Sequence, residues 1–434
     1  MARLTEYLER APLTRFHYVF LIILSLSYAL TGMNVLLIGA VLPSIKLEWK
    51  LDDVSSGLLL SAGYAGMAIG AVSSGLLSDR IGRKKTLMAM LAIMSILTAM
   101  CAFARDVYSM SLLRFLAGIG LGGSLPIPGV YMSEYPPAKY RGRFVGLVET
   151  AWVYGSLLSL VFSYFLIPLY GWQNTFLVAL LPLALVPLVA FKIPESIRYL
   201  EEKGRFEEAK GIVVGLDFMK ENDVVTTTME KSKHSISDLF SKEYLKRTTV
   251  LWITWAVLVY TYHGIFLWLP TIYSKMGFTI VRSLEWSFII TLAQVPGYYS
   301  AAFLLDRFGR KPVTAFYLAM AGLGCVLLSI SPNVELVLLW SLVISFFNLG
   351  AWSGLYTYTP ELYPTDIRGF GSGVAASIGR IAGIAAPTVT GYLMSVGNLP
   401  YAFTAFSIAH FTATLAVALI GPETKGLRLE EISK

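Results

Sequence analysis

Apolar runs of about twenty residues recur along the whole 434-residue chain, separated by short polar segments. A run of that length crosses a hydrocarbon layer of about 30 Å as a helix. Lipid offers no partner to an open backbone group, so spanning helices rather than isolated strands follow. Twelve spans are expected, over residues 17–43, 54–77, 86–105, 108–132, 143–167, 173–192, 249–274, 284–305, 313–331, 335–359, 370–396 and 400–421. An even number leaves both termini on one side. The first run is too long for a signal-peptide core and lacks a small-residue cleavage site, so it reads as a retained helix.

The spans divide into two related sets. Asp79-Arg80-Ile81-Gly82-Arg83-Lys84 after span 2 returns 227 residues later as Asp306-Arg307-Phe308-Gly309-Arg310-Lys311 after span 8. At the same offset, Glu134, Pro137, Arg141, Gly142 and Gly146 become Glu361, Pro364, Arg368, Gly369 and Gly373, and Leu42-Pro43 becomes Leu269-Pro270. A fixed period calls for a structural repeat. The expected fold is all-α and integral to the membrane, twelve transmembrane helices in two pseudo-symmetric six-helix bundles. Residues 1–192 form the N-terminal bundle, 193–248 a linker with short surface helices, and 249–434 the C-terminal bundle and tail. Two such halves around a central path imply a carrier that rocks about a site near the midplane.

Composition agrees with a lipid environment: 55% hydrophobic and only 15% charged residues, with mean hydropathy +0.62. Soluble domains carry about 25% charge. Of 35 Lys and Arg, 28 fall at the termini and in the loops after spans 2, 4, 6, 8 and 10, and five (Lys46, Lys50, Arg105, Lys275, Arg282) on the opposite side. Cytoplasmic loops are the basic ones, so a multi-pass protein of the cell membrane with both termini cytoplasmic is expected. The net charge of +7 is thus sorted by membrane side rather than gathered into a nucleic-acid stripe. Cys101 and Cys325 lie inside spans and suggest neither disulfide nor metal. No nucleophile with its base, metal cluster or phosphate loop is legible, so an enzyme and a resident cofactor are not expected. A small-molecule substrate, the bilayer and protons are the expected partners, and a monomer the expected state.

The duplicated loop charges read as more than anchors. Asp79, Arg80, Arg83, Glu134, Arg141 and Glu195, against Asp306, Arg307, Arg310, Glu361, Arg368 and Glu423, form candidate gates. Such acids and bases would pair across helix ends when that side is closed. Pro194-Glu195-Ser196 is echoed by Pro422-Glu423-Thr424 at an offset of 228.

The Asp79–Lys84 motif resembles the signature of the major facilitator superfamily, and the two Pro-Glu-Ser/Thr segments are similar to its sugar-porter branch. Leu147–Trp152, Gly264–Pro270, Thr291–Tyr298, Phe346–Trp352 and Tyr356–Pro364 resemble bacterial niacin permeases and synaptic-vesicle-glycoprotein-like carriers. The resemblance implies the major facilitator fold and a small polar substrate, an organic acid first. A sugar or an organic cation stands as the alternative, and a non-transporting receptor as the reading from a different class.

Charges at bilayer depth mark function by default. Arg380 lies ten residues into span 11, about 15 Å along the helix and near the midplane. Its guanidinium suits a two-pronged bond to a carboxylate; the bland reading pairs it with a neighbouring helix. Glu149 in span 5 is a candidate proton carrier, or else a fixed partner of Arg114 in span 4. Niacin-permease-like sequences carry acids in span 1 near Thr31-Gly32-Met33-Asn34; here Thr31 and Asn34 leave coupling to Glu149 or make transport facilitative. Asn34, Trp152, Tyr262, His263, Gln294, Asn348, Trp352 and Tyr356 complete the candidate cavity. Asn348, Trp352 and Tyr356 recur every four residues and share a helix face. Ordinary packing and interfacial aromatic belts compete for each of them. His263 has no second ligand at metal spacing.

Overall fold

The structure is a computed structural model that describes residues 4–220, 223, 235–364 and 367–425. Most of the polar stretch that ends near His234, and Gly426, lie outside the described residues. Every regular element among them is helical, and ten helical runs are long and apolar enough to cross a membrane.

One of those runs, Ala138–Lys192, has 55 residues. Straight, it would reach about 80 Å, more than twice the hydrocarbon thickness. It folds back at Gly171, whose φ of 79° breaks the helix, so that spans 5 and 6 follow without a loop. Span 6 then winds as a 3-10 helix over Phe176–Ala184 before an α-turn over Leu185–Lys192. Pro182 falls inside the 3-10 segment, where it supplies no backbone N–H. Likewise the 48 residues of Arg368–Leu415 hold two spans, the second of them counted within Leu399–Ile420.

Prolines also set the internal breaks. Span 4 runs over Val107–Ser124 and resumes at Pro126–Met132. Span 7 breaks between Leu245–Phe266 and Leu269–Lys275, just ahead of Pro270. Span 8 breaks between Ile280–Leu292 and Gln294–Phe308, ahead of Pro296. Each ring clashes with the carbonyl four residues before it, so the bend precedes the proline.

The repeat extends to helix starts. Asp106 caps span 4 by accepting from Ser109 N–H at 2.8 Å. Asn333, 227 residues on, caps span 10 (Val334–Glu361) by accepting from Leu336 N–H at 3.0 Å. These bonds satisfy donors that the first helical turn leaves open.

The chain falls into two compact units. The first comprises Met1–Leu37, Ala65–Phe162 and Gln173–Lys231; the second comprises Ile38–Tyr64, Ser163–Trp172 and Ser232–Lys434. Within the first, Gly120 and Gly122 lie so close to the backbones of Met94 and Met67 that a methyl group at either position would collide, the close helix approach that small residues permit. The second contains the C-terminal spans together with the last third of span 1 and the first part of span 2. Between the halves of the sequence lie short helices over Ile197–Glu202 and Phe206–Gly215 and a 3-10 turn over Ile236–Phe240.

Candidate functional site

The charged loops after spans 2 and 8 build the same object twice. Arg83 pairs with Glu134 at 3.1 Å, and the Ser196 hydroxyl donates to the other oxygen of Glu134 at 2.6 Å. Glu195 accepts from the backbone N–H groups of Arg83 and Lys84 at 2.9 and 3.1 Å and from the Tyr131 hydroxyl at 3.1 Å. In the second unit Arg310 makes a forked pair with Glu361, three bonds of 3.0–3.1 Å. The Thr424 hydroxyl donates to Glu361 at 2.6 Å. Glu423 accepts from the N–H groups of Arg310 and Lys311 at 2.9 and 3.2 Å.

Glu195 and Glu423 are therefore helix caps as well as charges, placed where the first N–H groups of a helix favour an anion. Gly82 and Gly309 make room for them with φ of 97° and 104°. A side chain at either position would be strained and would run into the carboxylate. Glu134 is only 5% exposed. Burial pushes its carboxyl above the usual carboxylate range, against the pull of Arg83 and the Ser196 hydroxyl.

Two of the expected acid–base pairs, Arg83–Glu134 and Arg310–Glu361, form inside their own repeats. Asp79, Arg80 and Arg307 are exposed. Asp306 reaches Arg310 only at 3.5 Å. Arg141 pairs with Glu9 of the N-terminal helix Leu4–Arg10 at 3.1 Å, and Arg368 donates to the Tyr363 carbonyl at 3.2 Å.

In the first unit, Glu149 is half-buried and accepts from the Tyr28 hydroxyl at 2.7 Å. Tyr28 and Trp152 stack at a tilt, 6.1 Å apart. Arg114 is buried and donates to the carbonyls of Asn34 and Val35 at 3.2 and 3.3 Å. The expected alternative, an Arg114–Glu149 bridge, fails on geometry. Glu149 lies 3.3 Å from where a Cβ of Gly129 would sit, and fifteen residues of span 4 separate Gly129 from Arg114, about 22 Å. Asn34 is fully buried, its amide nitrogen turned toward the Ala179 carbonyl at 3.5 Å.

The second unit holds an aromatic wall. Trp255 lies 5.6 Å from Trp352 and 5.7 Å from Tyr356, with ring planes close to perpendicular. Trp352 meets Tyr356 at 5.3 Å and Tyr262 at 6.4 Å. Tyr262 in turn donates to the Gln294 side-chain oxygen at 3.3 Å. At the other end, Gly379 of span 11 packs on the Trp255 ring, which puts half-buried Arg380 on the adjoining turn. Spans 7, 8, 10 and 11 therefore converge on this wall.

Two candidates turn elsewhere. Asn348 donates to Thr261 and His410, each at 3.1 Å, so it joins spans 7, 10 and 12 rather than extending the face of Trp352 and Tyr356. His263 bonds the Val259 carbonyl at 2.9 Å and meets Tyr64 edge-on at 4.7 Å.

At the opposite ends of the helices from the duplicated loops, Asp53 opens span 2 (Asp53–Ile81) and holds two cations. Lys275, at the end of span 7, reaches it at 2.6 Å; Lys46, near the end of span 1 (Arg15–Trp49), bonds its other oxygen. Ser61 donates to the Ile384 carbonyl and shares a bond with Thr388, both at 2.7 Å. Gly57 and Gly391 press on backbone of span 11 and of Asp53 respectively. Spans 1, 2, 7 and 11 are thereby fastened at that end.

The chain matches the family described as "Sugar (and other) transporter" over residues 13–434. It belongs to that family. Among relatives, this transporter is 38% identical to the niacin transporter of Acinetobacter baylyi over 99% of both chains. It is 30% identical to the gallate transporter of Pseudomonas putida over 96% of this chain and 94% of that one. In fold it resembles the partially occluded, inward-open xylose transporter of E. coli, with a TM-score of 0.78, 18% identity, and coverage of 96% of this chain and 100% of that one. The transporter is accordingly an all-α membrane protein of the major facilitator fold. Sequence reasoning missed Trp255, Tyr28 and the Asp53 cluster; the Gly379–Trp255 packing that makes Trp255 the link to span 11 leaves no local signal.

Proposed function

We propose that this transporter carries a small aromatic carboxylic acid across the cell membrane by alternating access, with both termini cytoplasmic. The observation that carries the reading is the wall of Trp255, Trp352, Tyr356 and Tyr262, with Arg380 on the adjoining turn of span 11. Flat rings stack on such a surface. A guanidinium near mid-membrane faces a partner or a wet cavity by default, and its planar fork suits a carboxylate. The relatives named for niacin and gallate support the same class of cargo. The basic loops support the orientation.

Glu149 is the proposed proton carrier. It sits half-buried in span 5, where it accepts from the Tyr28 hydroxyl, and an ionisable side chain at that depth marks function by default. Asp79, Arg80, Arg83, Glu134, Arg141 and Glu195 with Asp306, Arg307, Arg310, Glu361, Arg368 and Glu423 are the proposed gate elements. In this role the paired ones among them hold each set of helix ends as a unit.

The test is uptake of labelled aromatic acids into liposomes, with and without an inward proton gradient, together with counterflow. Arg380→Ala should reduce acid uptake by at least about tenfold while the purified protein stays folded, that factor being one charge-assisted bond of about 1.5–3 kcal/mol. Undiminished uptake by that variant, or saturable uptake of sugars and not of acids by the wild type, would sink the reading.

A further inference from the structure

Two N–H donors beside Tyr262 are buried and have no protein partner: Nε2 of Gln294 and Nε1 of Trp352. Gln294 is completely buried and Trp352 is 7% exposed. A buried donor left open carries its full desolvation penalty, and native proteins leave few such groups without a reason. Both touch the same side chain. Tyr262 donates to Oε1 of Gln294, which holds the amide with its NH₂ directed away, and Tyr262 also meets the Trp352 ring edge-on. The two donors belong to spans 8 and 10, whose backbones come together at Gly297 and Gly350. Gln294 lies beyond Tyr262, and Trp352 stands between Tyr262 and Trp255 in the wall.

Resting on the proposed function, we infer that Gln294 and Trp352 are specificity residues that grip a hydrogen-bond acceptor carried on the ring of the substrate. The acceptor is a ring nitrogen or a hydroxyl oxygen. Arg380 takes the carboxylate, the wall takes the ring face, and the two donors take the acceptor. A donor pair of this kind penalises an analogue that lacks the acceptor, because binding it would shut the N–H groups away from water unbonded. Neither donor carries charge, so the selection acts on hydrogen bonding and leaves the requirement for the acid to Arg380.

The experiment measures dissociation constants of the purified full-length protein for benzoate, pyridine-3-carboxylate and 3-hydroxybenzoate by calorimetry. The wild type should bind at least one of the two acceptor-bearing acids about tenfold or more tightly than benzoate. Trp352→Phe, which keeps an aromatic ring but removes the indole N–H together with the pyrrole part of the ring system, and Gln294→Leu should each bring that ratio toward one, the lost ring area weakening all three acids alike. Gln294→Glu should lower it further for pyridine-3-carboxylate, whose ring nitrogen can only accept, whereas the hydroxyl of 3-hydroxybenzoate can donate to the new carboxylate. Equal affinity of the wild type for all three acids would overturn the inference while leaving the aromatic-acid reading intact. A preference that persists in both Trp352→Phe and Gln294→Leu would do the same. Binding of none of the three would overturn both.

Discussion

Glu134 is buried and Glu149 half-buried, and their neighbours separate their tasks. Glu134 faces Arg83 and the Ser196 hydroxyl at a helix end. Burial raises its pKa, so the folded protein holds that proton more tightly than the unfolded chain does. Its contribution to stability is then full at acidic pH and is lost as pH rises through the raised value. The melting temperature of the wild type minus that of Glu134→Gln should accordingly increase as pH is lowered from 7 toward 4.5; a flat or reversed trend counts against the assignment. Glu149, inside span 5, accepts from the Tyr28 hydroxyl. Glu149→Gln should abolish accumulation driven by a pH gradient and spare counterflow, as measured in the same liposomes. At this scale the sequence singles out isolated charges in apolar runs, and so Arg380 and Glu149 stand out from it as candidates. Trp255 was not, since one more aromatic in a membrane helix is unexceptional until its neighbours are known. Nor was the turn of Asn348 toward His410, because a four-residue spacing identifies a helix face without saying which neighbour that face meets.

The helix ends carry polar bonds between elements far apart in the chain. Each duplicated cap ties the start of one span to a segment more than a hundred residues away: Arg83 to Glu195, and Arg310 to Glu423. Glu195→Ala and Glu423→Ala should destabilise by similar amounts, about 1–2 kcal/mol each as for other lost N-caps, read as matched drops in thermal midpoint. The Asp53 cluster should behave otherwise. Its partners are partly exposed, Lys46 at 19% and Lys275 at 38%, so its strength lies between the ~0–1 kcal/mol of a surface pair and the ~3–5 kcal/mol of a buried one. Asp53→Asn should loosen the junction without unfolding the protein. Labelling of a cysteine placed at Ser61 would then rise severalfold, and both native cysteines are buried and so give little background. The bends were foreseeable from proline positions. The 3-10 winding of span 6 and the loopless turn at Gly171 were not, because hydropathy reports length and apolarity but not the helix type or the sharpness of a turn.

For the molecule as a whole, the period of 227 residues was the most informative feature of the sequence, and it reappears at atomic detail. Tyr131 and Tyr358, separated by that interval, each donate to the carbonyl of the proline before the capping glutamate, Pro194 and Pro422. Repetition on this scale is legible because it needs only identity at fixed spacing. The grouping of Ile38–Tyr64 with the second unit was invisible for the opposite reason, since it depends on which surfaces meet in one conformation. The turn from Lys46 to Asp53 is where that grouping is reachable from solvent, with Lys50 in a left-handed conformation, φ 52°. A small antibody fragment that clasps this hairpin in its present shape would lock the carrier from outside its path. Such a reagent would act as a non-competitive brake, its potency independent of how much cargo is present.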